Sequence, residues 1–128
     1  MILVDTNVLI AVARTGDPKI VGLLSAHGGA VCGVTRAELL HGVRTAAERA
    51  AVLTMLGALS AVPIPEPTWD AVGDNLNALR AGGVTIPFPD AVIATVAIVN
   101  DLELWTHDAH FSHVARVLPS LKLFTEPP

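Results

Sequence analysis

Aromatic side chains are few in this sequence: three Phe, two Trp and no Tyr among 128 residues. Stacking platforms for nucleobases are correspondingly scarce. Charge is sparse as well, at 16%, and the eight Lys and Arg are outnumbered by twelve Asp and Glu, for a net charge of −4. That balance disfavours nonspecific adhesion to phosphate backbones. A lone cysteine, Cys32, rules out an intrachain disulfide and fits a reducing cytoplasm. No apolar run approaches the roughly 20 residues of a membrane span. The opening stretch has no basic n-region and is interrupted by Asp5, so it does not read as a signal peptide. Internal repeats, low-complexity tracts, and the glycine motifs of P-loops and dinucleotide folds are all missing.

What the chain has in quantity is apolar residues, 52% of the total. That excludes disorder and leaves apolar surface for a partner. The length suits one domain spanning residues 1–128. Ile2–Val4 reads as a short buried strand that stops at Asp5-Thr6-Asn7, and Val8–Ala13 as a helix. Asp17-Pro18 caps and opens a second helix that ends at His27-Gly28-Gly29. Ala30–Val34 is a second strand. Thr35 and Glu38 have the spacing of a capping box opening a third helix, and another helix follows over Thr45–Leu59. Ala61–Ile64 suits an edge strand, and Thr68 a cap for a helix with Trp69, Val72, Leu76 and Leu79 on one face.

The most unusual stretch is Phe88–Asn100. From Ala91 to Val99 only Thr95 is polar, as in a helix buried on all sides. Asp90 stands at its mouth behind Pro87 and Pro89, either as an N-cap or as a metal ligand. Leu102–Trp105 then reads as a strand, Thr106-His107-Asp108 as the start of a helix through Val117, and Leu121–Phe124 as a last strand. Short strands alternating with helices predict a three-layer α/β/α domain around a mostly parallel sheet of about four to five strands. Ligands of such sheets sit beyond the carboxyl ends of the strands.

Asp5, Glu38, Asp90 and Asp108 are each expected near a helix N-terminus, and in a parallel sheet those helix starts share one edge. Each alone is explained by capping. Together they are not, because two carboxylates about 5 Å apart repel by roughly 3 kcal/mol at an effective dielectric near 20. Helix dipoles offset only part of this. A hard divalent cation, Mg²⁺ or Mn²⁺, is the natural remedy, and such an ion suits phosphodiester hydrolysis. With four acids assigned to it, eight would remain against eight basic residues, a neutral surface. Arg14, Arg36, Arg44 and Arg80 are candidates for phosphate contacts.

Val4-Asp5-Thr6-Asn7, Ala37-Glu38-Leu39, Asp90-Ala91-Val92-Ile93-Ala94 and Trp105-Thr106-His107-Asp108-Ala109-His110-Phe111 follow the order and spacing of PIN-domain proteins. The sequence resembles the ribonuclease toxins of the VapC type, which are partnered by VapB antitoxins, over nearly its whole length. That resemblance implies a central parallel sheet, a metal-dependent endoribonuclease, a homodimer, and an antitoxin segment occupying the site groove. By position, Asp5, Glu38, Asp90 and Asp108 match the family's acidic quartet. The resemblance implies Asp5 and Asp90 as direct metal ligands and Asp108 as a ligand directly or through water. It implies Glu38 as holder of a second metal or orienter of the attacking water, with Asn7 and Thr106 hydrogen-bonding the acids.

Three other readings compete. His107, His110 and His113 near Asp108 suggest a zinc hydrolase, but on one helix their spacing turns them to different sides. The expectation is that His107 flanks the site and the other two are surface or packing residues. Glu38-Leu39-Leu40-His41 has the spacing of a di-iron Glu-x-x-His, in a chain that lacks a second copy. A non-catalytic phosphoacceptor or binding module of flavodoxin-like type also places acids above a parallel sheet. Asp5, however, has no adjacent acid, and Lys122 lies inside the last strand rather than after it.

Overall fold

A computed structural model describes all residues, 1–128. Five parallel strands run in the order β3-β2-β1-β4-β5, with β1 at Ile2–Val4, β2 at Gly29–Cys32, β3 at Ser60–Val62, β4 at Glu103–Trp105 and β5 at Lys122–Leu123. Strand β1 is central, pairing Leu3 with Ala30 on one side and with Leu104 on the other. Order 3-2-1 on one side and 4-5 on the other puts the direction change of the winding between β1 and β4. This is the crevice in which open α/β sheets bind ligands. A flavodoxin-like sheet has the order 2-1-3-4-5, so the topology overturns that alternative.

Period-two alternation divides the core in two. Ile2, Val4, Val31 and Trp105 pack with Val8, Leu9, Ile20, Leu39 and Leu56 on one face. The helices of that face are α1 (Thr6–Thr15), α2 (Pro18–His27), α3 (Gly33–His41) and α4 (Ala46–Gly57). Leu3, Ala30, Cys32 and Leu104 point to the other face, against Val72, Leu79, Val92, Ile93, Val96, Phe111 and Val114. There the helices are α5 (Glu66–Ala81), α6 (Phe88–Val99) and α7 (Phe111–Val117). Removing Ile93 down to Ala would cost about 2–5 kcal/mol by the usual cavity rule.

Helix α6 is held by burial rather than by propensity. Every residue from Ala91 to Ala97 is buried, which offsets the poor helix preference of Val92, Ile93 and Val96. Thr95, the one polar residue in the run, donates to Ala91 O (2.7 Å) and accepts from Asn75 Nδ2 (2.9 Å) on α5.

Several boundaries differ from the sequence expectation. Helix α6 begins at Phe88, because prolines are tolerated where the helix has no intrahelical use for an N–H. Helix α3 begins at Gly33 rather than Thr35, so Thr35 is an interior residue and the expected capping box does not form. A Thr–Glu cap forms instead at α4, where Thr45 Oγ1 accepts from Glu48 N (3.1 Å) and Glu48 accepts from Arg44 N (2.8 Å). Helix α5 starts at Glu66, leaving Thr68 buried inside it, and Trp69 is 39% exposed. Gly16 closes α1 in the left-handed region at φ +59°, a conformation that disfavours a side chain.

Candidate active site

Strand β1 delivers Asp5 to the carboxyl edge, next to β4. Asp5 N donates to Trp105 O (2.9 Å), which extends the β1–β4 ladder by one bond and sets the backbone under the acid. The Asp5 carboxylate is buried and accepts from three donors. Oδ1 accepts from Thr6 N (2.8 Å), while Oδ2 accepts from Thr106 Oγ1 (2.8 Å) and Asn7 Nδ2 (3.3 Å). Asp5 is thus an N-cap of α1 and an anion fixed from the loop after β4. Asn7 ties that loop further by accepting from His107 N (3.0 Å). Thr106 Oγ1 also accepts from Asp108 N (3.0 Å) and Asn7 Nδ2 (3.3 Å).

Asp90 is differently placed. It is the third residue of α6 and its carboxylate caps no backbone N–H, so the N-cap reading of Asp90 is overturned. Burial raises its pKa above the ordinary carboxylate value, and so do the negative charges of Asp5, Glu38 and Asp108; His110 acts in the opposite sense. The other three acids therefore all lie within electrostatic reach of Asp90.

Glu38 lies in the second turn of α3, not at its start, since the helix begins five residues earlier. Its Oε1 accepts from Thr6 Oγ1 (2.8 Å), which links it to the β1 loop. Asp108 does not begin α7 either. It sits in the loop before it, where Oδ1 accepts from His110 N (3.1 Å) and forms an Asx-type turn.

That turn brings in a residue the sequence reading left outside. His110 Nδ1 is 2.8 Å from Asp108 Oδ1, and Nε2 is 3.1 Å from Asp90 Oδ2. Donor atoms of Asp90, Asp108 and His110 all lie within 4.8 Å of one another, a grouping able to hold a metal ion. Helical spacing does not govern these side chains, because residues 107–110 are not helical. His107 turns away, with Nε2 2.7 Å from Glu126 Oε1. Glu126 also accepts from the buried Trp105 Nε1 (2.9 Å). The indole N–H, then His107, hold the Glu126 carboxyl below its usual range. Residues 105–108 are thereby clamped from both sides, by Asn7 and by Glu126.

Beside Glu38 runs a groove of about 610 Å³ between α1, α3 and α4. Ile10, Val12, Leu39, Val52 and Met55 make it apolar, and Arg14 and Arg44 stand on its walls. Neither arginine is in an ion pair.

An acidic crevice at the switch point of a 3-2-1-4-5 parallel sheet, with Asp5, Glu38, Asp90 and Asp108 around it, defines a class. The PIN domain family matches residues 2–117, and the chain belongs to that family. Among its relatives, Ribonuclease VapC10 of Mycobacterium tuberculosis is 36% identical over 123 residues, covering 93% of this chain and 92% of that protein. Solved structures with the same fold include VapBC2 from Rickettsia felis bound to a DNA fragment from its promoter. There the TM-score is 0.83 at 22% identity, covering 97% of this chain and 98% of that one. VapBC-1 from nontypeable Haemophilus influenzae gives a TM-score of 0.80 at 21% identity, over 97% of each chain. The resemblance read from the motifs to VapC-type proteins is therefore correct.

Proposed function

We propose that this protein is a divalent-metal-dependent endoribonuclease, the toxin of a toxin–antitoxin pair. The observation that carries this reading is Asp90, a partly buried carboxylate with no hydrogen-bond donor, facing three other acids and an imidazole. A cation beside such a group offsets the burial and the like charges that raise its pKa. The donors present, carboxylate oxygens with one imidazole, fit Mg²⁺ or Mn²⁺. When bound, the ion lowers the pKa of a water and neutralises charge building on the phosphorus.

The residues divide the remaining work. Asp90 and Asp5 would hold the cation, Asp5 in an orientation fixed by Thr106, Asn7 and Thr6 N. Asp108 would join them. Glu38, steered by Thr6, takes up the proton of the attacking water or orients it. The unpaired Arg14 and Arg44 hold phosphates of the RNA strand. With few aromatics, specificity rests on strand shape and a few placed contacts.

Glu38 lines the apolar groove. An antitoxin segment lying in it would cover Glu38, which suits the VapBC complexes that share this fold. No helix is long and apolar enough to cross a membrane, and a homodimer acting in the cytoplasm completes the reading.

The test is cleavage of end-labelled structured and unstructured RNAs with Mn²⁺, Mg²⁺ or chelator, with Asp90→Asn alongside. Discrete metal-dependent cuts that vanish in the variant are expected. Cutting that survives chelator or the variant would overturn the assignment.

A further inference from the structure

His110 stands among the acids of the crevice, with each of its ring nitrogens close to a different carboxylate. Nδ1 lies 2.8 Å from Asp108 Oδ1. A ring with its hydrogen on Nδ1, toward that carboxylate, presents a lone pair at Nε2. Nε2 is a buried atom with no hydrogen-bond partner. The nearest acceptor, Asp90 Oδ2 at 3.1 Å, lies within ion-pair distance but off hydrogen-bond alignment. Nε2 and a carboxylate oxygen thus face one space.

The arrangement has the form of a metal-ligating histidine. Such a ring gives its other N–H to a carboxylate, which fixes the tautomer and makes the ligating nitrogen more basic. Two adjacent ligands of a six-coordinate ion with bonds of about 2.1 Å stand about 3 Å apart, and Nε2 and Asp90 Oδ2 are 3.1 Å apart. The ring is also held in place before any ion arrives. It stacks on Phe111, fully buried, with centroids 4.7 Å apart, and its backbone N–H is fixed by Asp108. His107 and His113 have no such geometry: His107 is committed to Glu126, and His113 is exposed.

Building on the metal-dependent reading above, we propose that His110 is a direct ligand of the divalent ion through Nε2, and that this nitrogen biases the site toward Mn²⁺ over Mg²⁺. Mg²⁺ prefers an all-oxygen shell and keeps its waters, whereas imidazole nitrogen favours the transition metals.

The test is pulsed electron paramagnetic resonance of the protein loaded with Mn²⁺, combined with calorimetric titration of Mn²⁺ and Mg²⁺. Nitrogen-14 modulation from one imidazole is expected in the unaltered protein, retained in His107→Gln and lost in His110→Gln. Mn²⁺ affinity should fall roughly tenfold or more in His110→Gln, and Mg²⁺ affinity by less. Bound Mn²⁺ without nitrogen modulation in the unaltered protein would overturn the inference, whether or not the variant folds. So would modulation that persists in His110→Gln. Asp90-dependent RNA cleavage without nitrogen modulation would leave the nuclease standing and remove the ligand. Nitrogen modulation without cleavage of any RNA would support the ligand and remove the nuclease.

Discussion

Asp5 and Asp90 are neighbours in one crevice, yet the protein treats them in opposite ways. Asp5 accepts three hydrogen bonds: from the backbone N–H of Thr6, from the nearby Asn7 side chain, and from Thr106, which arrives from the far end of the chain. Asp90 accepts none from the backbone and meets only the Nε2 of His110, out of alignment. One carboxylate has its hydrogen bonds supplied by the fold itself. The other is left incomplete, at a cost that shows in its raised pKa. Rigid placement on one side and an unmet charge on the other are what a cation site needs: a fixed post and a vacancy in the charge balance.

Removing either charge sharpens this contrast. Asp90→Asn and Asp5→Asn should each lower RNA cleavage by on the order of 10³-fold, since the ion supplies several kcal/mol of transition-state stabilisation. Their stabilities should diverge. Asp5→Asn places an amide against the donors Thr106 and Asn7 and should destabilise the metal-free protein by about 1–3 kcal/mol. Asp90→Asn removes repulsion and should raise its melting temperature. Equal stabilities in chemical denaturation would erase the distinction between the two acids.

Metal should act on the unfinished side. At a hundredfold excess over its dissociation constant, Mn²⁺ should stabilise the fold by about 2.7 kcal/mol, an effect lost in Asp90→Asn. A variant that keeps the full thermal shift would place the ion elsewhere.

The contrast has a pH signature. A carboxyl whose folded pKa is raised favours folding when protonated. That contribution is fully present below the unfolded value of 3.8 and lost as pH rises through the folded value. Without metal, Asp90→Asn should therefore gain stability over the unaltered protein at neutral pH and lose that advantage as pH falls toward 4. A constant difference across pH would contradict the shift.

The supports of Asp5 give smaller effects. Thr106→Val removes the donor to Asp5 and the acceptor for Asp108 N, and should lower activity roughly tenfold to a hundredfold. Glu126→Ala, which frees Trp105 and His107 but touches no acid of the crevice, should cost roughly threefold to tenfold. Kinetic assays of both at saturating metal check the order, and Glu126→Gln should recover most of the loss.

The sheet and its two-sided core were legible because strand alternation and the apolar run of α6 are strong periodic signals. Leu3, Val31, Trp105 and Ala91–Ala97 are buried as their pattern indicates. The order of the acids along the chain, with the parallel sheet, was enough to expect them on one edge. Local chemistry was less legible. Capping preference alone does not reveal that Gly33 and Phe88 begin their helices, because tertiary burial decides those boundaries. That is why Thr35, Glu38 and Asp90 lost the capping roles assigned to them. His110 was missed because residues 106–110 were read as helix. The signal that would have found it is Asp108 two residues before it, the spacing of an Asx turn.

The bond from Thr106 to Asp5 joins positions 101 residues apart, and β1 finds its partner β4 across almost the same interval. During synthesis, then, the first acid emerges long before anything can orient it. A nascent chain of half this length has Asp5 and Glu38 but neither Asp90 nor the loop that aims Asp5. Closing so wide an interval is also slow. The chemistry of this crevice is thus withheld until most of the chain has been made.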